Sequence, residues 1–398
     1  MINKKMRELG VRRSTIRELF EYGRVRKCEI GEENVFDFSL GNPSVPSPPE
    51  VTEGLLSLIS EQEPTALHAY TSAQGDASVR ERIAEYVSER SGVPTTADCI
   101  YMSVGAAAAL TVTLSAVLCP GEEVIVLDPY FPEYKVFIEK AGGTVREVKT
   151  SEGSFMPNLS AIEAAITERT AALIINSPNN PTGAVYPEDV LIGLAELLSR
   201  KERELGKTIY LISDEPYREL VYDGIAVPYP QKYYNDTVIC YSFSKSLSLP
   251  GERIGYILVS PRARDFSDLY AAICGAGRAL GFVCAPSLLQ KLIPSCLGKT
   301  ADLAIYDWNR RTLYEALTEY GYELTHPDGA FYLFVKAPGG DANAFSEAAR
   351  RHELLLVPGD DFGAPGYVRI AYCVEPERIK RSLPAFRALI KEYERKNS

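Results

Sequence analysis

The sequence predicts an α/β fold, with a mostly parallel sheet covered by helices on both faces and a smaller α+β part after it. Three observations carry this reading. The apolar runs EEVIVLDP, AALIINSP and TVICYSFSK are continuous rather than alternating, the pattern of strands buried on both faces. Helical stretches separate them, which is the order of βαβ units. After about residue 290 the texture changes, and long helices surround a few strands. With 398 residues the chain is long for one domain. The boundaries read as 46–290 for a large domain, and 1–45 with 291–398 for a small domain that includes the N-terminal helical segment.

Taken in order, residues 1–35 read as one charged amphipathic helix, and FDFSLGNPSVPSPPE as a short strand entering a proline-rich loop. ASVRERIAEYVSER is helical by its charge spacing. CIYMSVG is a strand that runs directly into the helix AAAALTVTLSAVL. EEVIVLDP is a strand, PEYKVFIEKAG a helix ending at glycine, and AALIINSP a strand. PEDVLIGLAELLSRKEREL is a helix with a proline near its start. TIYLISDEP, TVICYSFSK and RIGYILVS are strands. In the C-terminal part WNRRTLYEALTEYGY, ANAFSEAARRHEL and PERIKRSLPAFRALIKEYERK are helices, with AFYLFVK, LLLVPG and GYVRIAYC as strands.

Composition narrows the function. The net charge of −10 argues against nucleic acid as a partner, although it leaves a local basic pocket open. The eight cysteines form no Cys-X-X-Cys pair and read as thiols of a reducing compartment. The three histidines lack zinc-site spacing, so no metal site is expected. No Gly-X-Ser-X-Gly elbow appears. The N-terminus is basic, but Glu8, Glu18 and Glu21 interrupt it and no apolar stretch follows, so it is not read as a targeting signal. The longest apolar run, Ala106–Leu118, is too short for a bilayer. A cytoplasmic protein with no membrane partner is the expectation.

Four stretches carry chemistry. In VGAAAAL a strand ends at Gly105 and a helix begins at once; N–H groups at a helix start beside small side chains hold anions, though close helix–sheet packing would use the same residues. In NSPNNPTGAVY, Asn180 lies in a turn after a parallel strand, where α/β proteins bind ligands and where an ordinary turn would also stand. In ISDEPYREL, Asp214 ends an apolar strand and Tyr217 follows; a carboxylate there needs a partner or caps a helix. In CYSFSKSLSLPGERIGY, Lys245 ends a further strand among Ser242, Ser244 and Arg253. A partly desolvated lysine near other cations becomes a nucleophile toward carbonyls, and hydroxyls with a guanidinium hold phosphate. A reactive lysine, a carboxylate for a pyridinium nitrogen and an anion cradle together match the needs of pyridoxal phosphate.

The motifs NNPTG, SDEPY, SFSKSLSLPGERIGY and GYVRIAY stand in that order, with LGNP and AYTSAQGDASVR before them. Over residues 35–390 the sequence resembles a class I/II aminotransferase of fold type I, a pyridoxal-phosphate-dependent family in the aspartate aminotransferase superfamily. The resemblance implies a seven-stranded sheet in the large domain. It implies that Lys245 bonds the cofactor and shuttles the substrate α-proton, that Asp214 pairs with the ring nitrogen, and that Tyr217 and Asn180 contact the ring oxygen. Gly105, Ala106 and Ala107, with Ser242, Ser244 and Arg253, would hold the phosphate, and Phe131 would stack on the ring. Arg369 and the backbone of Gly41, with Asn180, would take the substrate α-carboxylate. Tyr70 would reach the phosphate of a neighbouring subunit, which implies a homodimer. Some positions depart from the family pattern: Ser248 stands where glycine is usual, and alanines stand where many relatives carry a hydroxyl in the phosphate cradle.

The resemblance implies transfer of an amino group from an L-amino acid to a 2-oxo acid. Arg278 matches the neighbourhood of an arginine that binds a distal carboxylate across the dimer, which would favour aspartate or glutamate with 2-oxoglutarate; an interface ion pair or a surface position are its other readings. A C–S β-lyase on the same scaffold is the alternative activity. A cofactor-binding regulator is disfavoured, because residues 1–35 are too short for a DNA-binding domain.

Overall fold

The computed structural model describes residues 2–11 and 14–397. Contacts divide the chain into two compact units. The larger holds Pro46–Asn179 and Ala184–Asp302; the smaller holds the chain up to Val45, Asn180–Gly183, and the chain from Leu303 on.

Strands are numbered in chain order. β1 (Phe36–Asp37) belongs to the smaller unit. The larger unit is built on β2 (Ile100–Ser103), β3 (Glu123–Asp128), β4 (Thr144–Lys149), β5 (Thr170–Asn176), β6 (Tyr210–Asp214), β7 (Thr237–Ser242) and β8 (Gly255–Val259). These seven form one sheet in the order 2-8-7-6-5-3-4. Only β8 runs antiparallel to its neighbours. Side chains alternate between two apolar layers. Val124, Val126, Ile174 and Ile212 point into a core shared with helices Ala106–Val117 and Phe266–Leu280. Ile125, Leu127, Leu173 and Leu211 point the other way, onto helix Glu188–Leu205. Each such fully buried side chain contributes about 1.5–3 kcal/mol, and burial on both faces explains why the strands read as unbroken apolar runs.

β4 escaped the reading of individual segments. Its sequence TVREVK is charged and mostly exposed, because it lies at the sheet edge next to β3 alone.

In the smaller unit β9 (Tyr332–Lys336), β11 (Val357–Pro358) and β12 (Tyr367–Ala371) form an antiparallel sheet, while β10 (Leu354–Leu355) pairs in parallel with β1. The run LLLVPG is therefore two short strands in two sheets, not one. The N-terminal segment is likewise not one helix. It forms helices Lys4–Val11 and Thr15–Ile30, the second capped by Ser14, whose side chain accepts from the Arg17 N–H. The first helix buries no side chain.

Candidate active site

The functional side chains of the larger unit stand where strands end. In register, Asn176 of β5 lies beside Asp214 of β6, Asp214 beside Cys240 of β7, and both Ser242 of β7 and Ser103 of β2 beside Gly255 of β8. These are the carboxyl ends of the parallel strands, where the polypeptide opens toward ligands. Asn176 fixes the end of β6, its Nδ2 donating to the Asp214 carbonyl at 2.8 Å.

Asp214 is 5% exposed. Tyr134, wholly buried in helix Glu133–Lys140, donates its hydroxyl to Asp214 Oδ2 at 2.5 Å. Oδ1 is buried with no hydrogen-bond partner among the described residues. Burial pushes the Asp214 carboxyl up to about 7, neighbouring Glu215 adds to this, and the Tyr134 bond opposes it. Burial beside that carboxylate pushes the Tyr134 phenol well up. A buried carboxylate with an unanswered oxygen is costly, and a cationic N–H at Oδ1 would supply what is lacking. Phe131 packs edge-on against Tyr134, ring centres 5.8 Å apart, and Tyr217 is buried three residues beyond Asp214.

Beyond β7 the chain makes a single turn of helix, Phe243–Ser246, which carries the half-buried Lys245. Ser242 caps it, accepting from the Ser244 N–H at 3.2 Å, and the two serine hydroxyls meet at 2.7 Å. Arg253 Nη1 donates to Ser244 Oγ at 3.3 Å and to the Pro250 carbonyl at 3.1 Å. The guanidinium lies against Gly105: a Cβ there would stand 2.7 Å from Arg253 Nη2, and φ is +89°. Only glycine combines that backbone with so close an approach. Helix Ala106–Val117 starts immediately after, with no side-chain cap, so the N–H groups of its first turn, at Ala106 and Ala107, face outward. Backbone donors, two hydroxyls and a guanidinium therefore converge as an anion cradle. Ser248, in place of the usual glycine, takes φ +52°.

The smaller unit has its own charged centre. Arg369 on β12 is 2% exposed. Nη1 donates to Asn180 Oδ1 at 3.0 Å and Nη2 to the Ser39 carbonyl at 2.6 Å. Both partners are neutral oxygens, and Nε is buried without a partner among the described residues. The guanidinium carbon lies 4.6 Å from the Tyr332 ring centre and 5.0 Å from that of Phe362. Gly41 packs against Tyr332 so tightly that a Cβ would overlap its hydroxyl. A buried guanidinium without a carboxylate is an anion site by its chemistry.

Tyr70 and Arg278 are not drawn into either cluster. Tyr70 is 95% exposed, and Arg278 is exposed in the last turn of helix Phe266–Leu280. Motif reading missed Tyr134, Asn176, Ser39, Tyr332 and Phe362. Tyr134 had a signal, three residues after Phe131; the Ser39 carbonyl had none, since a backbone group carries no residue identity. Among the described residues no cluster of metal-ligating side chains occurs, and no helix is long and apolar enough to cross a membrane.

Fold and site together define a fold type I aminotransferase. The sequence pattern of the aminotransferase class I and II family matches residues 33–386. The chain is 31% identical over 368 residues to the aspartate aminotransferase of Thermotoga maritima, covering 88% of this chain and 90% of that one. It is 31% identical over 366 residues to the aspartate/prephenate aminotransferase of Thermus thermophilus, covering 87% and 88%. Among solved structures, an amino transferase from Eubacterium rectale superposes with TM-score 0.97 at 52% identity, over 99% of both chains. The Thermus thermophilus aspartate aminotransferase with maleate superposes with TM-score 0.86 at 28% identity, over 98% of this chain and 99% of that one. The chain belongs to the class I and II aminotransferase family, whose members use pyridoxal phosphate, and it is a transaminase.

Proposed function

We propose that this transaminase binds pyridoxal phosphate through Lys245 and moves the amino group of a dicarboxylic L-amino acid, aspartate or glutamate, to 2-oxoglutarate or a related 2-oxo acid. The observation that carries the cofactor reading is the buried Asp214 carboxylate, one oxygen held by Tyr134 and the other without a partner among the described residues. When bound, pyridoxal phosphate supplies an aldehyde that condenses with amines and a ring that accepts the electrons left behind by a departing α-proton.

The chain's own residues do the rest. Lys245 would hold the cofactor covalently, and its amine is the base that would move the substrate α-proton. Asp214 keeps the ring nitrogen protonated, and a cation opposite Oδ1 draws its own titration downward. Tyr217 and Asn180 would donate to the ring oxygen, and Phe131 would cover the ring. Gly105, Ala106, Ala107, Ser242, Ser244 and Arg253 anchor the phosphate. Arg369 takes the substrate α-carboxylate with Asn180 and the Gly41 backbone. Tyr70, exposed in the single chain, serves the neighbouring site of a cytoplasmic homodimer, and Arg278 supplies the charge for a distal carboxylate.

The substrate reading is supported by relatives named as aspartate and aspartate/prephenate aminotransferases. A panel of amino donors with 2-oxoglutarate as acceptor tests it. Aspartate or glutamate should lead the panel. Arg278→Ala should lower kcat/KM for dicarboxylic donors by roughly tenfold or more and leave neutral donors nearly unchanged. Equal loss for all donors would reduce Arg278 to a structural residue.

A further inference from the structure

The N-terminal helix Thr15–Ile30 presents a straight stripe at i, i+4 spacing: Thr15, Leu19, Gly23 and Lys27. Each meets the segment that surrounds Arg369. Thr15 Oγ1 donates to Asp361 Oδ2 at 2.7 Å. Leu19 is fully buried in a cluster with Val357 and Phe362. A Cβ on Gly23 would stand 2.6 Å from Leu355 Cδ1 and 3.0 Å from Asp37 Oδ2, so the glycine permits the close approach. One turn later, Lys27 Nζ donates to Asp37 Oδ2 at 2.8 Å.

Two lines lead from this stripe to the arginine. One is apolar, from Leu19 to Phe362, whose ring lies 5.0 Å from the Arg369 guanidinium carbon. The other is polar. Asp37 Oδ1 accepts from the Ser39 N–H at 3.1 Å and from its hydroxyl at 2.6 Å, and the Ser39 carbonyl accepts from Arg369 Nη2 at 2.6 Å. Asp37 is 9% exposed. Left unpaired, its charge would compete with an incoming carboxylate for the field of Arg369.

We propose that Lys27 is a positioning residue for substrate binding: it neutralises Asp37, so that Asp37 and Ser39 orient Arg369 while its positive charge stays available to the substrate carboxylate. This rests on the reading of Arg369 as the carboxylate-binding residue. The helix does not need Lys27 to stay docked. Arg26 pairs with Glu353 at 2.6 Å and Thr15 bonds Asp361, so the lysine can be altered with the helix in place.

The test is steady-state kinetics of the holoenzyme with its best amino donor and 2-oxoglutarate. Lys27→Met should raise KM for both substrates by roughly tenfold. It should leave kcat within about twofold, the signature of lost uniform binding, and cofactor affinity unchanged. Lys27→Arg should keep KM near that of the parent. Adding Asp37→Asn to Lys27→Met should bring KM back down, because removing both partners costs less than stranding one. Unchanged KM in Lys27→Met would overturn the proposal. So would a matching loss of kcat and cofactor affinity, or a double variant no better than the single one. Arg369→Lys separates the two layers. If it leaves KM untouched, the carboxylate reading of Arg369 fails; if it raises KM while Lys27→Met does not, only the role of Lys27 fails.

Discussion

Asp214 and Arg369 are both buried ionic groups with no ion-pair partner of opposite charge among the described residues, and each sits where its charge is costly to the folded chain. For Asp214 the cost has a measurable pH dependence. An unfolded aspartate titrates near about 3.9, whereas burial in the folded chain pushes this one up to about 7. The folded state therefore holds the proton more tightly. In cofactor-free protein the contribution of Asp214 to stability is full below pH about 4 and is lost as pH rises through about 7. An amide at this position has no such loss. Cofactor-free Asp214→Asn should be more stable than the parent at pH 8, by on the order of 4 kcal/mol, and the margin should shrink as pH falls toward 4. Urea unfolding at several pH values measures it; a margin independent of pH would contradict the account. In the presence of pyridoxal phosphate the order should reverse, because the amide cannot pair with a cationic ring nitrogen.

In the larger unit the candidate site residues stand at element ends rather than in element interiors. Strand termini carry Asn176, Asp214 and Ser242, and a helix start supplies backbone donors beside Arg253. The close packing of Gly105 on Arg253 joins these parts, so Gly105→Ala should distort the cradle. It demands a positive φ from alanine and a Cβ 2.7 Å from Arg253 Nη2. Affinity for pyridoxal phosphate, read by spectral titration, should fall by about tenfold or more while the far-ultraviolet spectrum stays that of the parent. Unchanged affinity would show that this end of the helix does not hold the phosphate. Elements of this kind were the most legible in the sequence. Strands buried on both faces announce themselves as apolar runs, and their final polar residues mark the ligand-facing end. The elements that were not legible lack that contrast. β4 is a charged edge strand, and β10 and β11 are two residues each, too short for any periodicity. In the N-terminal segment the extended Ser14 starts a second helix, and Arg12 and Arg13 before it lie outside the described residues.

At the scale of the whole molecule, the chain leaves the larger unit at Asn180 and returns at Ala184. The turn NPTG therefore belongs to the unit of Arg369, and Asn180 can bond that arginine directly. Motif order carried the list of candidate residues. It could not convey which backbone carbonyl or aromatic ring would support them, since Ser39, Tyr332 and Phe362 act by position in space. All of these supports serve one central claim, that Lys245 is the covalent attachment point of pyridoxal phosphate in a working transaminase. The direct measurement is to load the protein with pyridoxal phosphate, reduce it with borohydride and map the modified peptide by mass spectrometry, with turnover of Lys245→Ala assayed in parallel. The account predicts a phosphopyridoxyl group on Lys245 and no turnover in the variant. An active protein labelled only at another lysine, or a Lys245→Ala variant with full turnover, would contradict it.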